Sequence, residues 1–172
     1  MADMKLSLRV WAGSKRKELD MAAISVVLAE KLVQTEVYKT SKNIMIFYPL
    51  KDEVNLLSVL KDGSKNFYLP RVNGQDMECC LYKSGDELRE SAFHTMEPVC
   101  AACSKTEIDL VVAPALACDK NAYRLGYGGG FYDRFLKDYK GIKVCCIPKE
   151  LLVDTVYPNE QDIKMDLIIC SK

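Results

Sequence analysis

The feature that most constrains this chain is a glycine cluster between an apolar segment and a helical pattern. Four of the nine glycines fall within the five positions 126–130. The largely apolar run 108–112 precedes the cluster and predicts a buried strand. The apolar residues behind the cluster recur at helical spacing: Tyr132, Phe135, Leu136 and Tyr139. Residues 108–139 are therefore predicted to form a strand, a long loop, a glycine turn and the start of a helix.

This order of elements is suited to binding an anion. The first turn of a helix carries unpaired backbone N–H groups and the positive end of the helix dipole, and glycines let the backbone approach an anion closely. Arg124 lies two positions before the turn as a permanent cation, and Asp133 early in the helix could hold a magnesium ion between phosphates. These residues favour a nucleoside triphosphate site. The alternative is a plain tight turn, with Asp133 complementing the helix dipole.

Two standard phosphate-binding motifs do not fit the turn. A dinucleotide-binding fingerprint requires glycine at position 131, where this chain has Phe131. A Walker loop requires Gly-Lys followed by Ser or Thr, which is absent here. The turn therefore has to be interpreted from its own residues.

Charge and hydropathy exclude several functional classes. The 172 residues include 24 Lys plus Arg and 24 Asp plus Glu, so the chain has no electrostatic footprint for nucleic acid or an anionic membrane. No apolar run approaches the roughly 18 residues that span a bilayer. The N-terminus has neither the apolar core nor the cleavage site of a signal peptide. We expect a single domain over residues 1–172, soluble and cytoplasmic, a monomer or weak homodimer that binds small molecules.

The eight cysteines are expected to be reduced thiols. The adjacent pairs at 79–80 and 145–146 lie in apolar segments, where neighbouring strand residues point to opposite faces and do not chelate one ion. Cys100 and Cys103 form a lone C-x-x-C, which is a weak signal for a metal or redox site. Most of these thiols are therefore predicted to be buried and to act as small apolar side chains. His94, the only histidine, has no ligand partners at a recognisable spacing.

Apolar periodicity and turn residues predict alternating strands and helices along the chain. Strands are predicted at 43–48, 65–69, 142–147 and 165–169, three of them ended by Pro49, Pro70 and Pro148, with an extended segment at 75–82. Helices are predicted at 4–12 and 21–32, at 52–63 with Asp52 as N-cap and Gly63 as the stop, and as a single turn at 149–154. Residues 84–106 are assigned to a loop with a short helix. The alternation implies mainly parallel strands with crossovers on both faces of the sheet.

The glycine cluster lies within a longer motif that resembles a known enzyme family. Residues 123–134 read Y-R-L-G-Y-G-G-G-F-Y-D-R and are similar to the R-L-G-x-G-x-G-[YF]-Y-D signature of 5-formyltetrahydrofolate cyclo-ligases, also called 5,10-methenyltetrahydrofolate synthetases. Further pieces recur in the family's order over nearly the whole chain: Lys5-x-x-x-Arg9, Tyr48-Pro49-Leu50-x-x-Glu53-Val54, Leu69-Pro70-x-Val72, Glu97-Pro98 and Pro114-x-Leu116-Ala117-x-Asp119. The resemblance implies a Rossmann-like, doubly wound α/β fold with a mainly parallel sheet and helices on both faces.

The resemblance also implies a reaction. These enzymes convert 5-formyltetrahydrofolate to 5,10-methenyltetrahydrofolate with ATP and magnesium, releasing ADP and phosphate through a phosphorylated formyl (imidate) intermediate. Phosphoryl transfer needs positioning and charge neutralisation more than a protein nucleophile. The alternative hypothesis is a non-catalytic folate- or nucleotide-binding regulatory module on the same fold. A third, weaker hypothesis is a sugar-phosphate or CoA-handling enzyme on a similar scaffold.

Site residues carry over from the resemblance position by position. The residues implied to bind ATP are Lys5, Arg9, Arg124, Leu125, Gly126, Tyr127, Gly128, Gly129, Gly130, Phe131 and Tyr132. The residues implied to bind the folate are Arg9, Tyr48, Glu53 and Tyr132. Arg124 and Glu53 have the implied catalytic roles, and Asp133 and Asp162 are the implied magnesium ligands. Without the resemblance, Lys5 and Arg9 would indicate only a solvated helix face.

Some neighbouring residues keep two interpretations. Asp119 either orients the site or caps a turn, and Cys118 is either inert or a reactive thiol. Arg134 matches the end of the motif but is expected on the outside of its helix. Many relatives have lysine where this chain has Gly129, which places more of the phosphate-facing charge on Arg124.

Overall fold

The computed structural model describes residues 1–172 and contains four α-helices and eleven strands. The helices are α1 (Ala2–Lys17), α2 (Met21–Gln34), α3 (Glu36–Thr40) and α4 (Phe131–Leu136). The strands are β1 (Asn43–Met45), β2 (Asn66–Asn73), β3 (Asp76–Tyr82), β4 (Leu88–Glu90), β5 (Met96–Pro98), β6 (Leu110–Val112), β7 (Ala117–Asp119), β8 (Arg124–Leu125), β9 (Ile142–Ile147), β10 (Leu152–Val153) and β11 (Leu167–Cys170). Short 3₁₀ helices lie at Leu57–Lys61, Lys105–Glu107 and Lys149–Leu151. The helices are all too short or too polar to cross a bilayer.

Six strands form the central sheet, in the order β11-β9-β6-β1-β2-β3. Every neighbouring pair in this sheet is parallel except the β2–β3 hairpin. Side chains alternate between two cores, so that Ile44 and Ile46 belong to one core and Met45 to the other. α1 and α4 pack on the Met45 face, and α2 and α3 pack on the Ile44 face. The predicted doubly wound α/β fold, mainly parallel and covered on both faces, is confirmed.

The first two helices begin and end where their local chemistry dictates. Asp20 caps the N-terminus of α2 by accepting the backbone N–H of Ala23. The last turn of α1 carries the cations of residues 15–17, which complement the negative end of the helix dipole. α1 is longer than the predicted segment 4–12, because a single interruption at Gly13 costs only about 1 kcal/mol in a helix interior.

Proline is a poor guide to strand ends in this chain. β2 continues through Pro70, where the prediction ended it. The carbonyl of Tyr68 points towards β1, where it accepts the N–H of Ile46, and Pro70, two positions on, faces the same way. β1 ends at Met45, so this edge of β2 has no ladder partner at Pro70. The missing N–H therefore costs no hydrogen bond.

The helix predicted over residues 52–63 is wrong. A 3₁₀ helix begins only at Leu57, and Asp52 caps no helix. The buried apolar residues before and within it are spaced by two and three positions: Val54, Leu56 and Val59. An extended segment followed by a 3₁₀ turn satisfies that spacing, and an α-helix does not. Glu53 therefore lies in a tight loop, where its backbone N–H donates to the carbonyl of Leu50.

The two segments that flank the glycine turn also differ from prediction. Residues 84–106 were predicted to form a loop with a short helix, but they contain the antiparallel β4–β5 hairpin, and only the start of the 3₁₀ helix Lys105–Glu107 falls within this range. α4 has only six residues, so Tyr139 lies beyond it. The Tyr139 ring is nevertheless buried, and its hydroxyl donates to the carbonyl of Ile108 over 3.0 Å. The apolar repeat at 132–139 thus reflects burial, but not one continuous helix.

The order of the sheet reverses at β1, and this reversal positions a crevice. The chain proceeds from β1 to β2 on one side and later returns to β6 on the other side. Ligands of open α/β sheets bind outside the carboxyl ends of the strands at such a switch point. The segment after β1 contributes Tyr48 and Glu53 to a cavity there, and the segment after β6 contributes Pro114. The fold thus places the candidate site.

Candidate active site

The glycine turn connects β8 to α4. Gly128 has a φ of 110°, and Gly130, the N-cap of α4, has a φ of 69°. A residue with a Cβ atom is strained at such angles, so both positions use the conformational freedom of glycine. Arg9 of α1 contacts the turn, because its Nε donates to the carbonyl oxygen of Gly126 over 2.8 Å. The turn is therefore a defined loop that α1 holds in place.

A cavity of about 980 Å³ opens beside this turn. Its volume is at the upper end of the range of small-molecule sites, which reaches about 1,000 Å³. All of the sequence-predicted site residues line it: Lys5, Arg9, Tyr48, Glu53, Arg124, Leu125, Gly126, Tyr127, Gly128, Gly129, Gly130, Phe131, Tyr132, Asp133 and Asp162. The fold thus brings together residues that are scattered along the chain.

Arg124 is an almost buried cation in the cavity wall, with 6% of its surface exposed. Its Nη2 lies 3.3 Å from Oδ1 of Asp133, and its Nη1 donates to the carbonyl of Pro114 over 3.3 Å. Its guanidinium carbon lies 5.3 Å from the centre of the Tyr132 ring. Nε is buried without a hydrogen-bond partner. A planar cation held in this way, with donor capacity to spare, is suited to binding phosphate.

A second ion pair joins two further predicted site residues, Lys5 and Asp162. Nζ of Lys5 lies 2.5 Å from Oδ2 of Asp162, and the two side chains are 14% and 16% exposed. The same carboxylate oxygen accepts the backbone N–H of Asn159 over 2.7 Å. Each of two cations predicted to bind phosphate, Arg124 and Lys5, is thus paired with a carboxylate predicted to bind magnesium.

The predicted magnesium ligands are two carboxylates, those of Asp133 and Asp162. Nowhere in the chain do three His, Cys, Asp or Glu side chains cluster so as to hold a metal ion. Magnesium usually takes one or two protein carboxylates and completes its shell with phosphate oxygens and water. The donor set therefore fits magnesium that arrives with a triphosphate, and it does not fit a permanently bound structural ion.

Glu53 is a buried carboxylate in the cavity wall, 6% exposed. Its two oxygens accept hydrogen bonds from the N–H of Leu50 over 2.7 Å and from the hydroxyl of Tyr127 over 2.6 Å. The hydroxyl of Tyr132 is buried without a hydrogen-bond partner. Burial and the negative charge of Glu53 raise the pKa of Tyr132, so this hydroxyl remains a donor. Glu53, Tyr132 and Tyr48 together offer an acceptor, a donor and aromatic surface to a ligand.

Comparison with known proteins assigns the family. A model of the 5-formyltetrahydrofolate cyclo-ligase family matches residues 3–171. The chain belongs to this family. It is 28% identical to the 5-formyltetrahydrofolate cyclo-ligase of Mus musculus, over 98% of this chain and 90% of the mouse protein. It is 27% identical to the 5-formyltetrahydrofolate cyclo-ligase of Mycoplasma genitalium, over 97% of this chain and 98% of that protein.

Solved structures of cyclo-ligase relatives agree with this assignment. The 5,10-methenyltetrahydrofolate synthetase of Aquifex aeolicus superposes with a TM-score of 0.85 at 31% identity, covering 98% of this chain and 90% of that chain. The 5,10-methenyltetrahydrofolate synthetase of Mycoplasma pneumoniae superposes with a TM-score of 0.77 at 23% identity, covering 96% and 97%. The second match supports the fold alone. The resemblance seen in the sequence motifs is confirmed.

Sequence reasoning missed one buried cation of this cyclo-ligase family member, Arg16, which is 5% exposed. Its Nη1 donates to the hydroxyl of Tyr127 over 2.6 Å, and its Nη2 donates to the carbonyl of Ala115 over 3.0 Å. At 3.6 residues per turn, Arg16 lies on the same face of α1 as Lys5 and Arg9. That spacing was the available signal.

One wall of the cyclo-ligase cavity also went unpredicted. Phe93, in the connection between β4 and β5, packs edge-to-face on Phe131 with ring centres 5.6 Å apart. Arg134 lies over the same Phe131 ring and donates to the carbonyls of Gly129 and Gln75. Arg134 is exposed, as expected, but it also borders the cavity.

The remaining candidates lie outside the cavity of this cyclo-ligase fold. The buried carboxylate of Asp119 accepts the backbone N–H groups of Asn121, Tyr123 and Val156, which supports the interpretation that it caps a turn. The hydrogen bond from Cys118 to a neighbouring thiol, together with burial, raises the pKa of Cys118, so it is not an activated nucleophile. All eight cysteines are unpaired, and five of them are buried. His94 is exposed and faces Glu90.

Proposed function

We propose that this protein is an ATP- and magnesium-dependent ligase that cyclises 5-formyltetrahydrofolate to 5,10-methenyltetrahydrofolate. The observation that carries the proposal is that one cavity is lined both by the glycine turn with its cations and by Glu53 with its neighbouring tyrosines. A nucleotide site needs only the first set. Transfer of a phosphoryl group between two substrates requires both sets to face one space.

The triphosphate would lie against the glycine turn. Backbone N–H groups of the turn and the side chains of Arg124, Lys5 and Arg9 would hold the phosphate oxygens. The Arg9 guanidinium lies 3.5 Å from the place that a Cβ atom on Gly128 would occupy, so the absence of a side chain keeps this space open. Asp133 and Asp162 would hold magnesium, which when bound neutralises phosphate charge.

The folate would lie on the Glu53 side of the cavity. Its pterin ring has several N–H groups, and Glu53 is a buried acceptor for them. Tyr48 and Tyr132 line the same space and offer aromatic faces to the pterin or aminobenzoate ring. Arg9, which lines the cavity and touches the glycine turn, would contact both substrates.

The chemistry would proceed in two steps. First, the formyl oxygen attacks the γ-phosphorus, the bond to the bridging oxygen breaks, and ADP leaves. Arg124 would stabilise the charge spread over the transferring group, because its guanidinium is already fixed and shielded from water. Second, the neighbouring folate nitrogen attacks the phosphorylated carbon, phosphate leaves with the former formyl oxygen, and Glu53 would accept the proton that this nitrogen loses.

The test is formation of the methenyl product, followed by its absorbance, with purified protein, ATP, magnesium and 5-formyltetrahydrofolate. We expect one ADP per product formed and no product without ATP. Calorimetric titration with each substrate accompanies the assay. Binding of both substrates without any product would instead establish the non-catalytic regulatory module. Absence of folate binding would refute both hypotheses.

A further inference from the structure

A chain of hydrogen bonds connects α1 to the folate side of the cavity. Nη1 of Arg16 donates to the hydroxyl oxygen of Tyr127 over 2.6 Å, and that hydroxyl donates to Oε1 of Glu53 over 2.6 Å. From this geometry we infer that Arg16 and Tyr127 are positioning residues, which fix the Glu53 carboxylate for the N–H donors of the folate ring. The inference rests on the proposed function, because it assigns Glu53 a folate ligand.

The burial of Glu53 requires such partners. A carboxylate removed from water is costly unless hydrogen bonds or an opposite charge compensate it. Glu53 takes part in none of the eight ion pairs of the chain. Its compensation comes from the N–H of Leu50 and the hydroxyl of Tyr127. Arg16 and Glu53 form no direct ion pair; the Tyr127 hydroxyl lies between them, and the charge of Arg16 polarises this hydroxyl and so strengthens it as a donor.

Arg16 itself is held at two points. Its second terminal nitrogen donates to the carbonyl of Ala115 over 3.0 Å, in the loop after β6. The planar guanidinium can satisfy the Ala115 carbonyl and the Tyr127 hydroxyl together, whereas the single ammonium of lysine has no such fork. The position of Glu53 is therefore set by three separate segments, namely α1, the glycine turn and the loop after β1.

Tyr127 links the two halves of the proposed site. Its backbone belongs to the glycine turn, while its hydroxyl lies between two nearly buried groups, Arg16 and Glu53. About half of Tyr127, 49%, is exposed, so the hydroxyl end is the part of the side chain that is engaged. Each oxygen of Glu53 accepts one protein hydrogen bond, and a carboxylate has about four acceptor sites. The remaining acceptor capacity is available to a ligand.

The decisive variant is Tyr127→Phe, which removes one hydroxyl and keeps the ring. We expect its Kd for 5-formyltetrahydrofolate, measured by calorimetry without ATP, to rise about tenfold, the typical effect of losing a hydrogen bond to a charged group. Its Kd for ATP should change less than its Kd for the folate, because Tyr127 contributes to the ATP site through the backbone of the turn, which the substitution leaves in place. Tyr139→Phe is the matched control: it also removes a hydrogen-bonded tyrosine hydroxyl, and this hydroxyl is buried outside the cavity. The control should lower stability without changing folate affinity.

A double-mutant cycle separates positioning from general damage. If Tyr127 acts through Glu53, Tyr127→Phe should add almost no further loss of folate affinity in a Glu53→Ala background. Additive losses would overturn the inference, and so would unchanged folate affinity in Tyr127→Phe. Should Tyr127→Phe fail to fold, Arg16→Lys repeats the test with the charge retained, and wild-type folate affinity in that variant would likewise refute the role of Arg16. A wild-type protein that binds no folate would instead refute the proposed function.

Discussion

The guanidinium of Arg124 lies 3.3 Å from the carboxylate of Asp133, and the Arg124 side chain is only 3% exposed. The same pairing of opposite charges joins Lys5 to Asp162 across the cavity wall. A phosphate that binds either cation competes with a carboxylate, and magnesium competes with a cation for each carboxylate. Binding of both together relieves both competitions, so the two ligands are expected to bind cooperatively.

Arg124 is the residue whose removal should affect the chemical step most. We expect Arg124→Ala to lose about 2–4 kcal/mol of transition-state stabilisation, because it removes a fixed, shielded cation from the place where charge would develop in the proposed phosphoryl transfer. Arg124→Lys should recover only part of this loss, since an ammonium does not reproduce the bidentate fork. Values of kcat/KM for ATP measure both effects, and thermal unfolding checks that the variants are folded. Wild-type turnover in Arg124→Ala would remove this residue from the catalytic mechanism.

Asp162 provides a test of cooperative binding of magnesium and nucleotide. In Asp162→Asn the neutral amide no longer competes for Lys5, so we expect ATP alone to bind as well as or better than in wild type. The gain in ATP affinity on adding magnesium should shrink by about five- to tenfold, within the usual range of coupling free energies. Asp166→Asn is the control, because it breaks the Lys143–Asp166 pair outside the cavity. An unchanged magnesium effect on ATP affinity in Asp162→Asn would contradict the proposed ligand role.

Gly128 tests the geometry of the turn. Its φ of 110° strains any residue with a Cβ atom, and that atom would lie 3.5 Å from the Arg9 guanidinium. We expect Gly128→Ala to weaken ATP binding about tenfold, which corresponds to about 1.4 kcal/mol and lies within the 1–3 kcal/mol that such backbone strain costs. Gly74→Ala is the matched control, because Gly74 has a φ of 64° in the β2–β3 turn, away from the cavity, with open space around it. Gly74→Ala should lose a comparable amount of stability and keep wild-type ATP affinity. If Gly128→Ala binds ATP as well as Gly74→Ala does, the glycine turn is excluded as a phosphate site.

The sequence predicted the glycine turn and its charged neighbours because these residues are close together and act locally. Arg16 was missed because its partner Tyr127 lies 111 positions away. Its place on the face of α1 that carries Lys5 and Arg9 was the one local signal, and that spacing alone does not show that the cation is buried. The β4–β5 hairpin was missed for the related reason that short strands without apolar alternation depend on their pairing. Non-local partners, and not weak local signals, explain these failures.

The predicted end of β2 and the helix predicted around Glu53 were also wrong because packing and pairing with distant segments decide these boundaries. Pro70 was expected to end β2, but the ladder on that edge had already ended with β1, so no hydrogen bond was at stake. Glu53 was expected in a helix, whereas the burial of Val54 and Leu56 favours an extended segment. Glu53 nevertheless lies beyond the carboxyl end of β1, which follows from the predicted order of a strand at 43–48 and a later segment at 52–63 in a parallel sheet.

The thiols give a prediction about reactivity and pH. Burial raises the pKa of Cys79 to about 11 and that of Cys80 to about 12, and burial also raises the pKa of Cys146. A raised pKa leaves less of the reactive thiolate at any given pH. Brief alkylation of the native protein at about pH 8 should therefore modify the exposed Cys100 and spare the buried thiols. Peptide mass spectrometry measures the sites.

Raising the pH towards about 9 should still leave Cys79 and Cys80 unlabelled, because burial holds the pKa values of these thiols above that pH. Denaturant should make all eight cysteines reactive, which is the control that each can be detected. Rapid native labelling of Cys118 would contradict its assignment as an inert, buried side chain. Activity should survive labelling of Cys100, since Cys100 does not line the cavity.

Asp119 separates a structural role from a catalytic one. Its carboxylate is 2% exposed and accepts three backbone N–H groups, from Asn121, Tyr123 and Val156. Asp119→Ala leaves these donors without their acceptor, and we expect the free energy of unfolding in urea to fall by at least about 3 kcal/mol. Asp154→Ala is the control: its side chain is 98% exposed, so the change should stay within about 0.5 kcal/mol. At a temperature where Asp119→Ala remains folded, its KM values for ATP and folate should stay within about twofold of wild type, because the carboxylate does not line the cavity. A large rise in either KM with unchanged stability would place Asp119 in the site after all.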